Sequence, residues 1–120
     1  MNFKLAIIGG GAAGFFAAIN AAEMSPDMEV HVFEKAAQFL SKVRVSGGGR
    51  CNVTHACFNP KELIQFYPRG SRELLGPFYV FNPADTIEWF EKRRVKIQAE
   101  ADGRMFPVTN TSRTIIGCFL

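Results

Sequence analysis

At 120 residues the chain predicts one domain with a modest core, and its composition, 48% hydrophobic and 21% charged, is globular rather than disordered. A net charge of +3 borne by scattered Lys and Arg leaves no electrostatic footprint for nucleic acid, and the twelve Phe residues lie in apolar runs where core packing explains them. Three cysteines, Cys51, Cys57 and Cys118, form neither a metal cluster nor an even-numbered disulfide framework, so no metal is expected and the reducing cytoplasm is the natural compartment.

Residues Phe3–Ile8 read as a short buried strand ended by glycines. Ala12–Glu23 reads as a helix of small residues, closed near Ser25-Pro26-Asp27. The uncharged run from Leu5 to Ala22 resembles a membrane span only superficially, because Gly9-Gly10-Gly11 breaks it where a tight turn fits better. Glu29–Glu34 alternates and is β-branched, which predicts a second strand, parallel to the first across a crossover helix. Lys35–Asn59 has no sustained period and holds a second glycine cluster; a loop of that length in a small domain tends to be functional. Short helices are expected over Pro60–Tyr67 and Ser71–Leu75, and a clearer one over Pro83–Arg93. Asp102-Gly103 between alternating flanks predicts a hairpin within Val95–Val108. Thr111 or Ser112 then caps a last helix from about Arg113.

The chemistry is concentrated at Gly9-Gly10-Gly11-Ala12-Ala13-Gly14, which fits G-x-G-x-x-G. In that pattern Gly9 permits the tight turn, Gly11 lets a pyrophosphate approach the backbone, and Gly14 lets helix and strand pack closely. The free N–H groups of the helix start, at Ala12 and Ala13, face the phosphates with the positive end of the helix dipole. Alone the pattern is weak, since structural turns match it often. Here it follows a predicted strand, opens a predicted helix, and precedes Glu34 by about 20 residues, where a carboxylate accepts from a ribose 2′-OH and repels a 2′-phosphate. The expectation is a dinucleotide with a free adenosine 2′-OH, either FAD or NAD. Ser46-Gly47-Gly48-Gly49-Arg50-Cys51-Asn52 adds backbone donors, a guanidinium and an amide that suit a cofactor extending beyond its pyrophosphate, which favours FAD.

Four segments together resemble the HI0933-like flavoproteins, NAD(P)/FAD-dependent oxidoreductases also described under the YhiN and BaiN names: Ile8–Gly14, Phe33-Glu34-Lys35, Ser46–Thr54 and Asp102–Val108. The resemblance runs the whole chain, and its S-G-G-G-R-C-N run is specific. It implies an α/β fold: a partial Rossmann-like β-α-β unit with an irregular FAD-contact loop and a small helical and hairpin extension. It also implies that Glu34 binds the adenosine ribose and that Lys42 and the Ser46–Asn52 loop lie along FAD. One departure is visible: a glycine often precedes the Lys42-like position, and Leu40 stands there.

Other side chains carry weaker expectations. Lys35 could touch the adenosine with its stem or be solvated, and Arg50 could bind cofactor or pair with a surface acid. Cys51 and Cys57 could relay electrons as a redox pair, although Cys57 reads better as a small apolar filler. His55 reads as a solvated loop histidine, His31 as an edge-strand residue, and Trp89 as packing a helix against the sheet. No residue is assigned to catalysis. Relatives implied by the resemblance are several times longer, with a second domain. Residues 1–120 are therefore expected to be the N-terminal part of an FAD-binding domain from an oxidoreductase that uses NAD(P)H on an unknown small molecule, the piece itself being inactive and prone to self-association. Alternatives are a non-catalytic piece without cofactor and, less favoured by the second glycine loop, an NAD-binding Rossmann dehydrogenase.

Overall fold

Two short strands start the fold because their alternation leaves one half-buried face for a helix to cover. The computed structural model describes residues 3–120. Strand β1 (Lys4–Ile8) and strand β2 (Glu29–Phe33) pair in parallel from Lys4 opposite Glu29 to Ile8 opposite Phe33. Helix α1 (Ala12–Met24) connects them and covers the face formed by Leu5, Ile7, Val30 and Val32. These are the three elements the sequence predicts, within one residue at each end.

The segment expected to be irregular contains more order than its pattern suggests. Helix α2 (Ser41–Gly49) is regular only as far as Val45, since Ser46 turns extended and Gly47 and Gly48 turn left-handed. Strand β3 (Thr54–His55) follows, too short to show a period. Next come helix α3 (Pro60–Leu63), a 3-10 turn over Ile64–Phe66, and helix α4 (Ser71–Val80), which runs on through Pro77 instead of ending near Leu75. Helix α5 (Pro83–Glu91) begins with a capping box: the Asn82 side chain accepts from Ala84 N, and Asp85 accepts from Asn82 N.

The expected hairpin forms from strand β4 (Ile97–Ala99) and strand β5 (Arg104–Pro107), and β3 joins its other edge to give an antiparallel sheet in the order β3-β5-β4. Helix α6 (Ser112–Phe119) starts at the Thr111 cap and is pinned to α2 by Ser112 Oγ donating to Arg44 O at 2.8 Å. It buries Ile115, Ile116 and Phe119, each worth about 1.5–3 kcal/mol. These join Leu40, Val43, Cys51, Trp89, Phe90, Val95, Ile97 and Met105 in one core, against which Phe15, Phe16 and Ile19 of α1 pack.

Apolar surface is left over on the far side of the parallel pair. Ile8 is 84% exposed and Phe33 54%. The Cα radius of gyration is 15.2 Å, against about 13.6 Å for a compact chain of this length. Among the described residues no helix is long and apolar enough to cross a membrane, and no three His, Cys, Asp or Glu side chains gather to hold a metal ion.

Candidate functional site

The glycine turn is shaped by two close approaches and one opening. Gly9 has φ 107° and its N–H donates to Phe33 O at 2.7 Å, which binds the turn to the end of β2. A Cβ on Gly14 would lie 1.9 Å from the Gly9 carbonyl oxygen, so only glycine lets α1 pack this near β1. A Cβ on Gly10 would meet the Phe39 ring at 2.3 Å. Gly11 differs: a Cβ there would find nothing within 4 Å. As the N-cap of α1 it supplies no side-chain acceptor, so the first-turn N–H groups at Ala12 and Ala13 are offered outward.

Glu34 closes the other side of this turn. Its Oε1 accepts from Gly10 N at 2.9 Å and its Oε2 from Ala36 N at 2.7 Å. These two backbone donors, Ala36 first and Gly10 second, hold the carboxyl below the ordinary carboxylate range. The group is therefore ionised at neutral pH, and each oxygen keeps acceptor capacity for a hydroxyl. Lys35 beside it is exposed.

The second glycine loop curls back on itself through left-handed backbone. Gly47, Gly48, Gly49 and Cys51 have φ between 57° and 89°, and Cys51 N donates to Ser46 O at 2.9 Å. Asn52 is exposed, and its Nδ2 ties it to the three-stranded sheet by donating to Thr54 O at 2.9 Å and Met105 O at 3.2 Å. Arg50 pairs with Glu100 and lies over the Phe106 ring, the guanidinium carbon 3.7 Å from its centre.

One cleft of about 920 Å³ unites the two loops. Ala12 and Ala13 from the start of α1, Lys42 from the regular part of α2, and Ser46, Cys51 and Asn52 from the second loop all line it. Its remaining wall was not foreseen from sequence: Phe16, Phe78, Phe81, Trp89 and Phe119 make it mostly apolar. The only sequence signal for that wall was the abundance of Phe, which reads equally as core. Gly9, Gly11, Gly14, Glu34, Lys35, Gly47, Gly48, Gly49 and Arg50 lie outside the cleft lining; Glu34 is tied to the glycine turn through Gly10 N.

The remaining candidates resolve into structural contacts. Burial pushes the Cys51 thiol up, only partly opposed by the Ser46 hydroxyl, so the thiolate that redox exchange requires is disfavoured. The three cysteines are free thiols. His55 packs on Phe66 with ring centres 4.2 Å apart and planes tilted by 37°, and His31 bonds Glu29 at 2.7 Å. Trp89 packs α5 against α1 and α6 through Phe16 and Phe119, in the same core cluster as Ile97 and Met105 of the three-stranded sheet; its Nε1 donates to Asn20 Oδ1 at 3.1 Å.

Comparison with known proteins agrees with this arrangement. The family model of the HI0933-like protein Rossmann domain matches residues 3–120. The chain is 27% identical over 113 residues to a 3-dehydro-bile acid delta(4,6)-reductase of Clostridium scindens, which covers 94% of this chain and 27% of that relative. The chain thus spans about a quarter of the length of the curated relative it matches. A parallel strand pair joined by a helix, a G-x-G-x-x-G turn between them and a family match across all described residues give one conclusion: the chain belongs to the HI0933-like family and forms its Rossmann domain.

Proposed function

We propose that the chain is the FAD-binding segment of a flavin-dependent oxidoreductase. The observation that carries this reading is the single cleft shared by the start of α1 and the Ser46–Asn52 loop. Fit is supported at three points. Gly11 opens onto space a side chain would fill, α1 has no side-chain cap competing for its first N–H groups, and the Glu34 carboxylate is ionised beside the turn. In this reading Gly9, Gly11, Ala12, Ala13 and Gly14 receive the pyrophosphate. Glu34 accepts from the adenosine ribose, with the Lys35 stem alongside. Lys42, Ser46, Gly47, Gly48, Gly49, Cys51 and Asn52 border the remainder of the cofactor.

FAD supplies hydride transfer when bound, and NAD(P)H is the reductant this reading assigns. The aromatic cleft wall offers apolar surface on which a flat ring can pack. Similarity to a 3-dehydro-bile acid delta(4,6)-reductase fits an oxidoreductase acting on a small molecule. The test is direct: purified protein titrated with FAD should quench flavin fluorescence and keep a yellow band near about 450 nm after desalting. NAD competing equally for the site, or a colourless protein after desalting, would reject the reading.

A further inference from the structure

The Ser46–Asn52 loop has two sides, and Arg50 belongs to the side turned away from the cleft. Ser46, Cys51 and Asn52 line the cleft, and Arg50 does not. Its guanidinium pairs instead with Glu100, at the end of β4, and lies on Phe106, which is 1% exposed. The same ring lies 2.9 Å from where a Cβ on Gly47 would stand. Arg104 completes the group, 3.6 Å from Glu100 and 5.4 Å from the Phe106 ring centre. A run of left-handed glycines has little conformational preference of its own, so the loop needs an external tie to hold one shape.

We propose that Arg50 is a positioning residue, a strut from the β4–β5 hairpin to the glycine loop, with Glu100 and Phe106 as its footing. The strut rests on the FAD reading for its purpose: it presents Ser46, Cys51 and Asn52 to the cofactor without touching it. Guanidinium groups in glycine-rich loops often bind phosphate directly. Here the stack and the ion pair already occupy the group, and its Nε is buried with no acceptor.

Two readouts separate the strut from the cofactor. The first is the alkylation rate of Cys51 in cofactor-free protein, located by peptide mass spectrometry, with Cys118 on α6 as the internal control. The second is the FAD dissociation constant from flavin fluorescence. Glu100→Gln should speed Cys51 labelling and weaken FAD by about two- to fivefold, in line with a partly exposed ion pair. Arg50→Met, which also loses the stack, should give about tenfold in both. Arg50→Lys should restore Cys51 protection to within about twofold of native, because it keeps the pair with Glu100. Adding Glu100→Gln to Arg50→Met should change little further, since both remove one interaction. Cys118 should keep its native rate throughout, which distinguishes release of the loop from general loosening. The proposal is overturned if Arg50→Met weakens FAD while Cys51 in cofactor-free protein labels at the native rate, or if the two substitutions add independently. Native protein that binds no FAD would reject the cofactor reading, and the labelling arm would still decide the strut.

Discussion

Leu40 donates its N–H to the Gly10 carbonyl at 2.8 Å while holding a left-handed backbone, φ 59° and ψ 31°, with its side chain 1% exposed. This bond fastens the glycine turn to the start of α2, which carries Lys42 and leads into the second loop. Left-handed backbone costs a side-chain-bearing residue about 1–2 kcal/mol, and burial of a leucine returns about 1.5–3 kcal/mol. The position keeps a glycine-like conformation, and the core contact offsets the strain. Leu40→Ala should therefore lose about 2–5 kcal/mol of stability, because it removes the contact and retains the strain. Leu40→Gly should lose less by about 0.5–1 kcal/mol, reversing the usual preference for alanine. Thermal or urea melts of the two variants check this, and an alanine variant as stable as the glycine one would remove the strain from the account.

Gly11 and Gly14 separate binding from folding. At Gly14 the added methyl would meet the Gly9 carbonyl at 1.9 Å, so Gly14→Ala must push α1 off β1. A loss of about 1–3 kcal/mol or more is expected in a melt. At Gly11 the methyl enters open space from an extended backbone that alanine adopts freely. Gly11→Ala should melt within about 1 kcal/mol of native yet bind FAD at least about tenfold more weakly, since the methyl stands where the pyrophosphate would approach. Equal FAD affinity for Gly11→Ala and native protein would place the phosphates elsewhere.

Local pattern made part of this site legible, and distant partners concealed the rest. The turn at Gly9–Gly14 and the hairpin at Asp102-Gly103 each follow from residues within a few positions of one another, and Glu34 from its spacing after the turn. Strand β3 does not. Two residues cannot show a period, and its place is set by Val53 N donating to Met105 O at 2.9 Å and Ala56 N to Gly103 O at 2.7 Å, both across the sheet. Glu100 as the partner of Arg50 was hidden for the same reason, although pairing with an acid was one reading of that arginine. Helix α4 continues past Leu75 although Pro77 removes an N–H donor inside it. The helix survives it, and Phe81 N donates to Pro77 O at 2.8 Å in the next turn. That extension brings Phe78 and Phe81 to the cleft.

The acid limb of stability should be informative. Glu34, Glu29 and Asp102 all have carboxyls held below their ordinary values: Glu34 by the Ala36 and Gly10 N–H groups, Glu29 by His31 and Lys4, and Asp102 by Arg104. A depressed folded-state pKa adds stability that is present above the unfolded value and is lost as pH falls through the folded one. The loss should thus begin near the ordinary Glu value of 4.5 and continue below it. Glu34→Gln should flatten this limb, because an amide cannot accept from both backbone donors with its single oxygen. The same variant should bind FAD more weakly at neutral pH. Urea midpoints measured from pH 6 downward, native against variant, check the sign; parallel curves would mean that Glu34 is not ionised against the turn.

Ile8 and Phe33 face each other across the parallel pair on its uncovered side, 84% and 54% exposed. Two apolar side chains opposite one another at the end of a two-stranded sheet make an adhesive patch beside an unpaired edge. In the 120-residue chain this surface should drive concentration-dependent association, visible as a rising sedimentation coefficient. Ile8→Thr with Phe33→Thr keeps β-forming residues at both positions and removes the apolar pair. Because neither side chain belongs to the buried core, the double variant should melt within about 1 kcal/mol of the native chain and sediment as a smaller species at the same concentration. Association that persists unchanged in the double variant would move the contact to another face, such as the exposed Tyr79 and Val80 of α4.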